Sequence, residues 1–199
     1  MVDRSNLQRQ VLFGETVIGR PKVEAARERM LDLNSGITIN GYHELLTSAN
    51  AFAILGDYDI IVNGCDNFPT RYLVNDAAVL LGKPVVDGSI FRFEGQATVY
   101  HSAEGGPCYR CLYPTPPPPG MVPNCAEAGV LGALCGMAGS LQATEVLKEL
   151  LGIGDSLSGA LIVCEGLGTT FRKITIKRDP GCPLCGDDPT ITDLSVHKE

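Results

Sequence analysis

Three features of the 199-residue sequence predict an α/β fold: a doubly wound, mostly parallel sheet, further antiparallel strands, and a C-terminal segment tethered by zinc. Helical and strand-like segments alternate through residues 21–87, as strand–helix–strand units do. Beyond them the pattern changes to two-residue alternation at 91–101 and a strand pair within 161–177, the mark of antiparallel ribbons. Two Cys-x-x-Cys pairs separated by 70 residues supply four thiols that a single ion could gather.

Taken in order, residues 21–34 (PKVEAARERMLDLN) read as a helix. Pro21 falls in the first turn, where its missing N–H costs nothing, and Val23, Ala26, Met30 and Leu33 form an apolar face. Residues 37–42 are expected as a short strand and 49–55 as a helix. Residues 58–63 (YDIIVN) form an apolar run bounded by turn residues, as in a strand covered on both faces. A helix follows at 70–81 and a short strand at 84–87. Within 91–101 the turn is placed at Glu94-Gly95. Residues 114–123 carry six prolines and one glycine, which predicts a stiff, extended, exposed loop. A long helix is expected over 126–151, ended by Gly152. Its uncharged stretch, 128–144, is too short and too glycine-rich to span a bilayer. Residues 161–165 and 171–177 are expected to pair antiparallel, and the tail from 186 has little periodicity.

A composition 44% apolar supports a substantial core without disulfides. The net charge of −7, with no basic block, argues against nucleic-acid and anionic-membrane partners, both of which need a cationic surface. No apolar leader opens the sequence, so its eight cysteines point to metal or reactive thiols in the cytoplasm, not to structural disulfides.

Cys108-Tyr-Arg-Cys111 and Cys182-Pro-Leu-Cys185 could saturate a structural Zn²⁺, because a two-residue spacer lets two thiolates reach one tetrahedral ion. The alternative is a pair of redox dithiols, although such motifs open a helix after a strand, whereas these border irregular Pro/Gly-rich sequence. Asp66-Asn67 lies at the carboxyl end of the 58–63 strand, where open α/β sheets bind ligands. A carboxylate there can hold Mg²⁺ against phosphates; the plainer reading is a cap for the next helix. Ser5 to Arg9 and Lys22 put a guanidinium and an ammonium near loops, suited to a polyphosphate or simply solvated. No GxGxxG or Walker loop accompanies them. Cys125, between the proline-rich loop and the long helix, has the setting of a nucleophile or is an incidental thiol. His43, His101 and His197 are scattered, and no hydrolytic triad is supported.

The segments SNLQRQVLF, GRPKVEAA, CDNFPTRYLVNDAA, EGQATVY, PCYRC, CAEAGVLG, GSLQATEVLK and PGCPLCG occur in the order of a known family. Over residues 2–186 the sequence resembles the ThiF/MoeB-type enzymes that adenylate sulfur-carrier proteins, relatives of ubiquitin-activating enzymes. The resemblance implies binding of Mg²⁺ and ATP and of a small ubiquitin-fold carrier ending in Gly-Gly, whose terminal carboxylate becomes an acyl-adenylate. It implies ATP contacts at Ser5, Asn6, Leu7, Gln8, Arg9 and Lys22, and metal and nucleotide contacts at Asp66 and Asn67. It implies zinc ligation by Cys108, Cys111, Cys182 and Cys185. Cys125 matches a cysteine that in some members takes part in carrier adducts or sulfur transfer. Arg9, Asp66 and Cys125 are thus the expected catalytic set.

In relatives a strand, a GxGGxG loop and a helix precede the first matching motif, so the expected sheet lacks its first βαβ unit. Residues 1–186 are expected as the adenylating domain and 187–199 as a tail. The resemblance further implies a homodimer and a separate sulfur donor, a sulfurtransferase or a desulfurase. The rival expectation is a zinc-stabilised module that docks the carrier without activating it. An NAD-dependent oxidoreductase has only the sheet pattern behind it.

Overall fold

The structure, a computed structural model, describes residues 1–118 and 129–197. The chain divides into two compact units, Met1–Leu45 and Leu46–Glu199.

In the first unit Asp3 caps a short 3-10 turn, Arg4–Asn6. Its carboxylate accepts the Ser5 N–H at 2.8 Å and the Ser5 hydroxyl at 2.6 Å. Val2 is buried and exchanges backbone hydrogen bonds with Gly19 and Arg20. Helix α1 (Lys22–Leu33) starts after Pro21, as expected. Its anticipated apolar face is only partly used: Ala25 is the buried residue, and Met30 and Leu33 are exposed. Residues 37–42 form no strand. A strand exists only where a neighbour takes up its N–H and C=O groups, and no such ladder reaches this segment among the described residues.

The second unit holds a five-stranded sheet: β1 (Ile61–Asn63), β2 (Val85–Phe91), β3 (Glu94–Tyr100), β4 (Ala160–Glu165) and β5 (Thr170–Thr175), in that spatial order. Helices α2 (Ala51–Leu55), α3 (Phe68–Leu80), α4 (Tyr109–Leu112) and α5 (Gly132–Leu151) accompany it. Only β1 and β2 run parallel, joined by the α3 crossover; β2–β3, β3–β4 and β4–β5 are antiparallel. The sheet is therefore mixed, not mostly parallel. The expectation fails at β2, which continues directly into a hairpin instead of feeding a second crossover helix.

That hairpin also moves the expected turn. Phe91 pairs with Glu94, leaving Arg92-Phe93 as a two-residue loop, with Arg92 left-handed at φ 53°. Glu94 and Gly95 lie within β3. Helix α5 begins later than expected. The Leu131 N–H donates to the Arg92 carbonyl at 3.0 Å and Val130 bridges to Arg92, so 130–131 run extended beside the hairpin before the helix starts at Gly132. The helix ends at Leu151, as expected, with Gly152 left-handed at φ 61°. Residues 114–118 of the proline-rich loop have no regular structure and are mostly exposed. Residues 119–128, including the rest of that loop, the expected helix start and Cys125, lie outside the described residues.

The central strands β2 and β3 are covered on both faces, with successive residues facing opposite ways. Val85 and Tyr100 pack with Ile61, Tyr72 and Tyr109, whereas their neighbours Val86 and Val99 pack with Leu157 and Val146 of α5. Among the described residues no helix is long and apolar enough to cross a membrane.

Candidate functional site

The parallel pair places Asn63, the last residue of β1, beside Asp87, the third residue of β2. Asn63 organises the bend that follows: its Oδ1 accepts the Cys65 N–H at 3.1 Å, and its Nδ2 donates to Asp87 Oδ1 at 2.6 Å. Gln142 of α5 clamps the same point, donating from Nε2 to the carbonyls of Asn63 (2.8 Å) and Val86 (3.2 Å). The chain then turns through Asp66-Asn67 into α3. Asn67 is the cap of that helix, its Oδ1 accepting the Thr70 N–H at 2.9 Å. Asp66 is exposed, and its carboxylate hydrogen-bonds to nothing among the described residues.

Both residues border a cavity of about 440 Å³. Its wall is largely apolar and aromatic, with Phe68, Ile90, Phe91, Tyr109 and Tyr113 contributing. Its polar lining includes a buried ion pair. Arg71 Nη1 lies 3.1 Å from both oxygens of Asp87, and its Nη2 donates to the Gly88 carbonyl at 3.0 Å. Burial pushes the Asp87 carboxyl above the usual range, opposed by the Arg71 charge and the Asn63 hydrogen bond. Neither residue carried a sequence signal, since a helix–strand pair becomes visible only once α3 is docked on β2.

The four cysteines of the two Cys-x-x-Cys pairs converge, all sulfurs within 4.8 Å of one another. Cys108–Cys182, Cys111–Cys185 and Cys108–Cys111 sulfur distances are 3.6, 3.4 and 3.9 Å. A tetrahedral ion with metal–sulfur bonds near 2.3 Å needs sulfurs about 3.8 Å apart, so the cluster fits a four-thiolate metal site. Hydrogen bonds from Cys108 and Cys185 hold the Cys111 thiol down to about 2, while Cys108 is pushed well up by the same contacts. A bound dication would favour ionisation of the four thiols together. The second knuckle needs Gly186, because a Cβ there would fall 2.4 Å from the Cys182 carbonyl oxygen. No redox reading of the separate pairs accounts for their meeting.

Ser5, Asn6, Leu7, Gln8, Arg9 and Lys22 all lie in the first unit, whereas Asp66 and Asn67 lie in the second. Within the first unit the Arg9 side chain returns to the Ser5 carbonyl at 3.0 Å, and Asn6 is buried and closes the capping box with Asp3. Lys22 is the first residue of α1. Beside them Gln10, which the sequence did not single out, keeps a buried Oε1 without a hydrogen-bond donor among the described residues.

A mixed sheet with a four-cysteine cluster that could hold a metal ion and a cavity beside the end of β1 defines an α/β domain of a recognisable kind. The chain belongs to the ThiF family, which its residues 1–184 match. It is 54% identical over 197 residues to a protein of Thermus thermophilus named sulfur carrier protein adenylyltransferase, covering 97% of this chain and 73% of that one. To the mouse adenylyltransferase and sulfurtransferase MOCS3 it is 50% identical over 199 residues, covering all of this chain and 43% of the relative. The fold is that of Escherichia coli MccB, with a TM-score of 0.78 at 21% identity over 94% of this chain and 56% of that one. The chain therefore spans less than half of the mouse relative it matches.

Proposed function

We propose that this chain adenylates the C-terminal Gly-Gly carboxylate of a small ubiquitin-fold sulfur carrier in the cytoplasm. The observation that carries the reading is family membership over nearly the whole chain together with an exposed carboxylate, Asp66, that lines a largely aromatic cavity after the end of β1. In the reaction a carboxylate oxygen of the carrier forms a bond to the α-phosphorus of ATP. The bond from that phosphorus to the bridging oxygen breaks, and pyrophosphate leaves with the electron pair. No general base is required, because the attacking carboxylate is already ionised. Asp66 would hold Mg²⁺, which neutralises charge on the phosphates. Asn67 keeps its capping role and steadies the approach to Asp66. Arg9 and Lys22 supply cations for the phosphates, with Ser5, Asn6, Leu7 and Gln8 shaping the nucleotide contact.

The cysteine cluster holds zinc as a closed structural site. Cys125 serves later, in carrier adduct formation or sulfur transfer, and is not needed for adenylation. The activated carrier receives sulfur from a separate sulfurtransferase or desulfurase, and the enzyme works as a homodimer. The printed names of the relatives support the carrier as substrate class.

Calorimetry with Mg²⁺ and ATP tests the nucleotide site. Saturable binding is expected, with Asp66→Ala weakening it at least about tenfold, the scale of one lost charge-assisted contact. Binding left unchanged by Asp66→Ala would reduce that residue to a bystander, and no binding by a folded chain would favour the docking module.

A further inference from the structure

Tyr109 and Arg110 are the two residues between metal ligands Cys108 and Cys111, and they face in different directions. The Tyr109 ring lines the cavity, 4.9 Å from the Tyr113 ring and 5.1 Å from the Tyr72 ring, centroid to centroid. Arg110 instead forks onto Asp76 of α3, with Nε and Nη2 at 2.8 and 2.6 Å from its two oxygens. Asp76 is fully buried, and His197 Nε2 adds a third contact at 2.8 Å. The Tyr109 N–H donates to Asn75 at 2.8 Å, and the Tyr72 hydroxyl donates to the Tyr113 carbonyl at 2.9 Å. The short α4 turn is thereby fixed from two sides, by the sulfurs and by α3. Fixing both ends of a two-residue spacer leaves Tyr109 no freedom to leave the wall.

We infer that the metal site is a positioning device for the cavity: the metal-bound turn, acting through Arg110 on Asp76, holds the Tyr109–Tyr113 wall in place. This rests on the zinc reading of the four cysteines and not on the adenylation chemistry. Arg110 and Asp76 are positioning residues, since neither lines the cavity. Loss of the metal frees Cys108 and Cys111 from the Cys182–Cys185 knuckle, which lies 70 residues away in sequence, and the aromatic wall loosens while the sheet persists.

The chain contains no tryptophan, so Tyr113→Trp places a single fluorescent reporter in that wall. Phe171→Trp, on exposed β5, is the control. In each full-length variant zinc is measured by elemental analysis, removed by chelation, and acrylamide quenching is compared at constant far-UV circular dichroism. The expected result is about a twofold rise in quenching of Tyr113→Trp on zinc removal, with Phe171→Trp unchanged, as for a local opening. With Arg110→Ala added, the zinc-loaded reporter should already show the raised quenching; Asp76→Asn takes its place if that variant does not fold. Equal quenching with and without zinc, a parallel rise at both reporters, or low quenching retained in Arg110→Ala would overturn the inference. A folded chain without zinc overturns it together with the zinc reading, whereas failure of adenylation with these quenching differences intact leaves it standing.

Discussion

Asp66 and Asn67 are adjacent and polar, and the structure gives them different tasks. Asn67 spends its carbonyl oxygen on the Thr70 N–H, while Asp66 keeps its carboxylate exposed at the cavity. The sequence left capping and ligand binding open for the dipeptide, because both chemistries favour the same residue types before a helix. Beneath them, Arg71 and Asp87 are a buried pair whose value lies in mutual neutralisation. Breaking such a pair by removing one partner costs about 3–5 kcal/mol. Arg71→Ala should destabilise the fold by that order at pH 7 in urea unfolding. Burial already raises the Asp87 carboxyl, and losing Arg71 removes the main opposing charge. The folded chain then binds that proton more tightly than the unfolded one, so stability falls as pH rises above the ordinary carboxylate range. The loss should therefore be smaller at pH 4 than at pH 7; an equal loss at both would show that the pair contributes by packing alone. The clustering of the four cysteines was legible because Cys-x-x-Cys spacing is itself a geometric statement. Arg71, Asp87, Gln142 and Asp76 were not, because their partners lie 16 to 121 positions away and local pattern says nothing about docking.

At the level of elements, helix ends marked by Pro21 and Gly152 were legible, and the turn between β2 and β3 was not. Two-residue hairpin loops favour Gly, Asn or Asp at left-handed positions, and this one uses Arg92 instead. The nearby Glu94-Gly95 drew the expected turn because Gly is the stronger local signal. Arg92→Gly should relieve the left-handed strain and stabilise the protein by about 0.5–1 kcal/mol, read as a higher urea midpoint at unchanged slope. A lower midpoint would mean that the Arg92 side chain, stacked 5.3 Å from the Phe91 ring, contributes more than its backbone costs. The same hairpin explains why a helix–strand alternation that looked parallel ends in a mixed sheet. Once β2 turns straight back, β3 must be antiparallel, and the closing β4–β5 ribbon continues that sense.

At the scale of the molecule, the second unit joins three functional features through α3. Its N-terminus carries Asp66 and Asn67 to the cavity, its first turns place Arg71 on Asp87, and its centre offers Asp76 to Arg110 of the Cys108–Cys111 turn. The first unit carries the cationic segment with Arg9 and Lys22. Family membership and named relatives supply the activity class, while the cavity and the exposed carboxylate are where the proposed reaction would sit. The most direct measurement is pyrophosphate exchange into ATP by the purified zinc-loaded chain with Mg²⁺ and a ubiquitin-fold carrier ending in Gly-Gly. Exchange that requires the carrier and disappears in Asp66→Ala is the expected result. A folded chain that binds the carrier yet catalyses no exchange would contradict the adenylation reading and leave a docking domain.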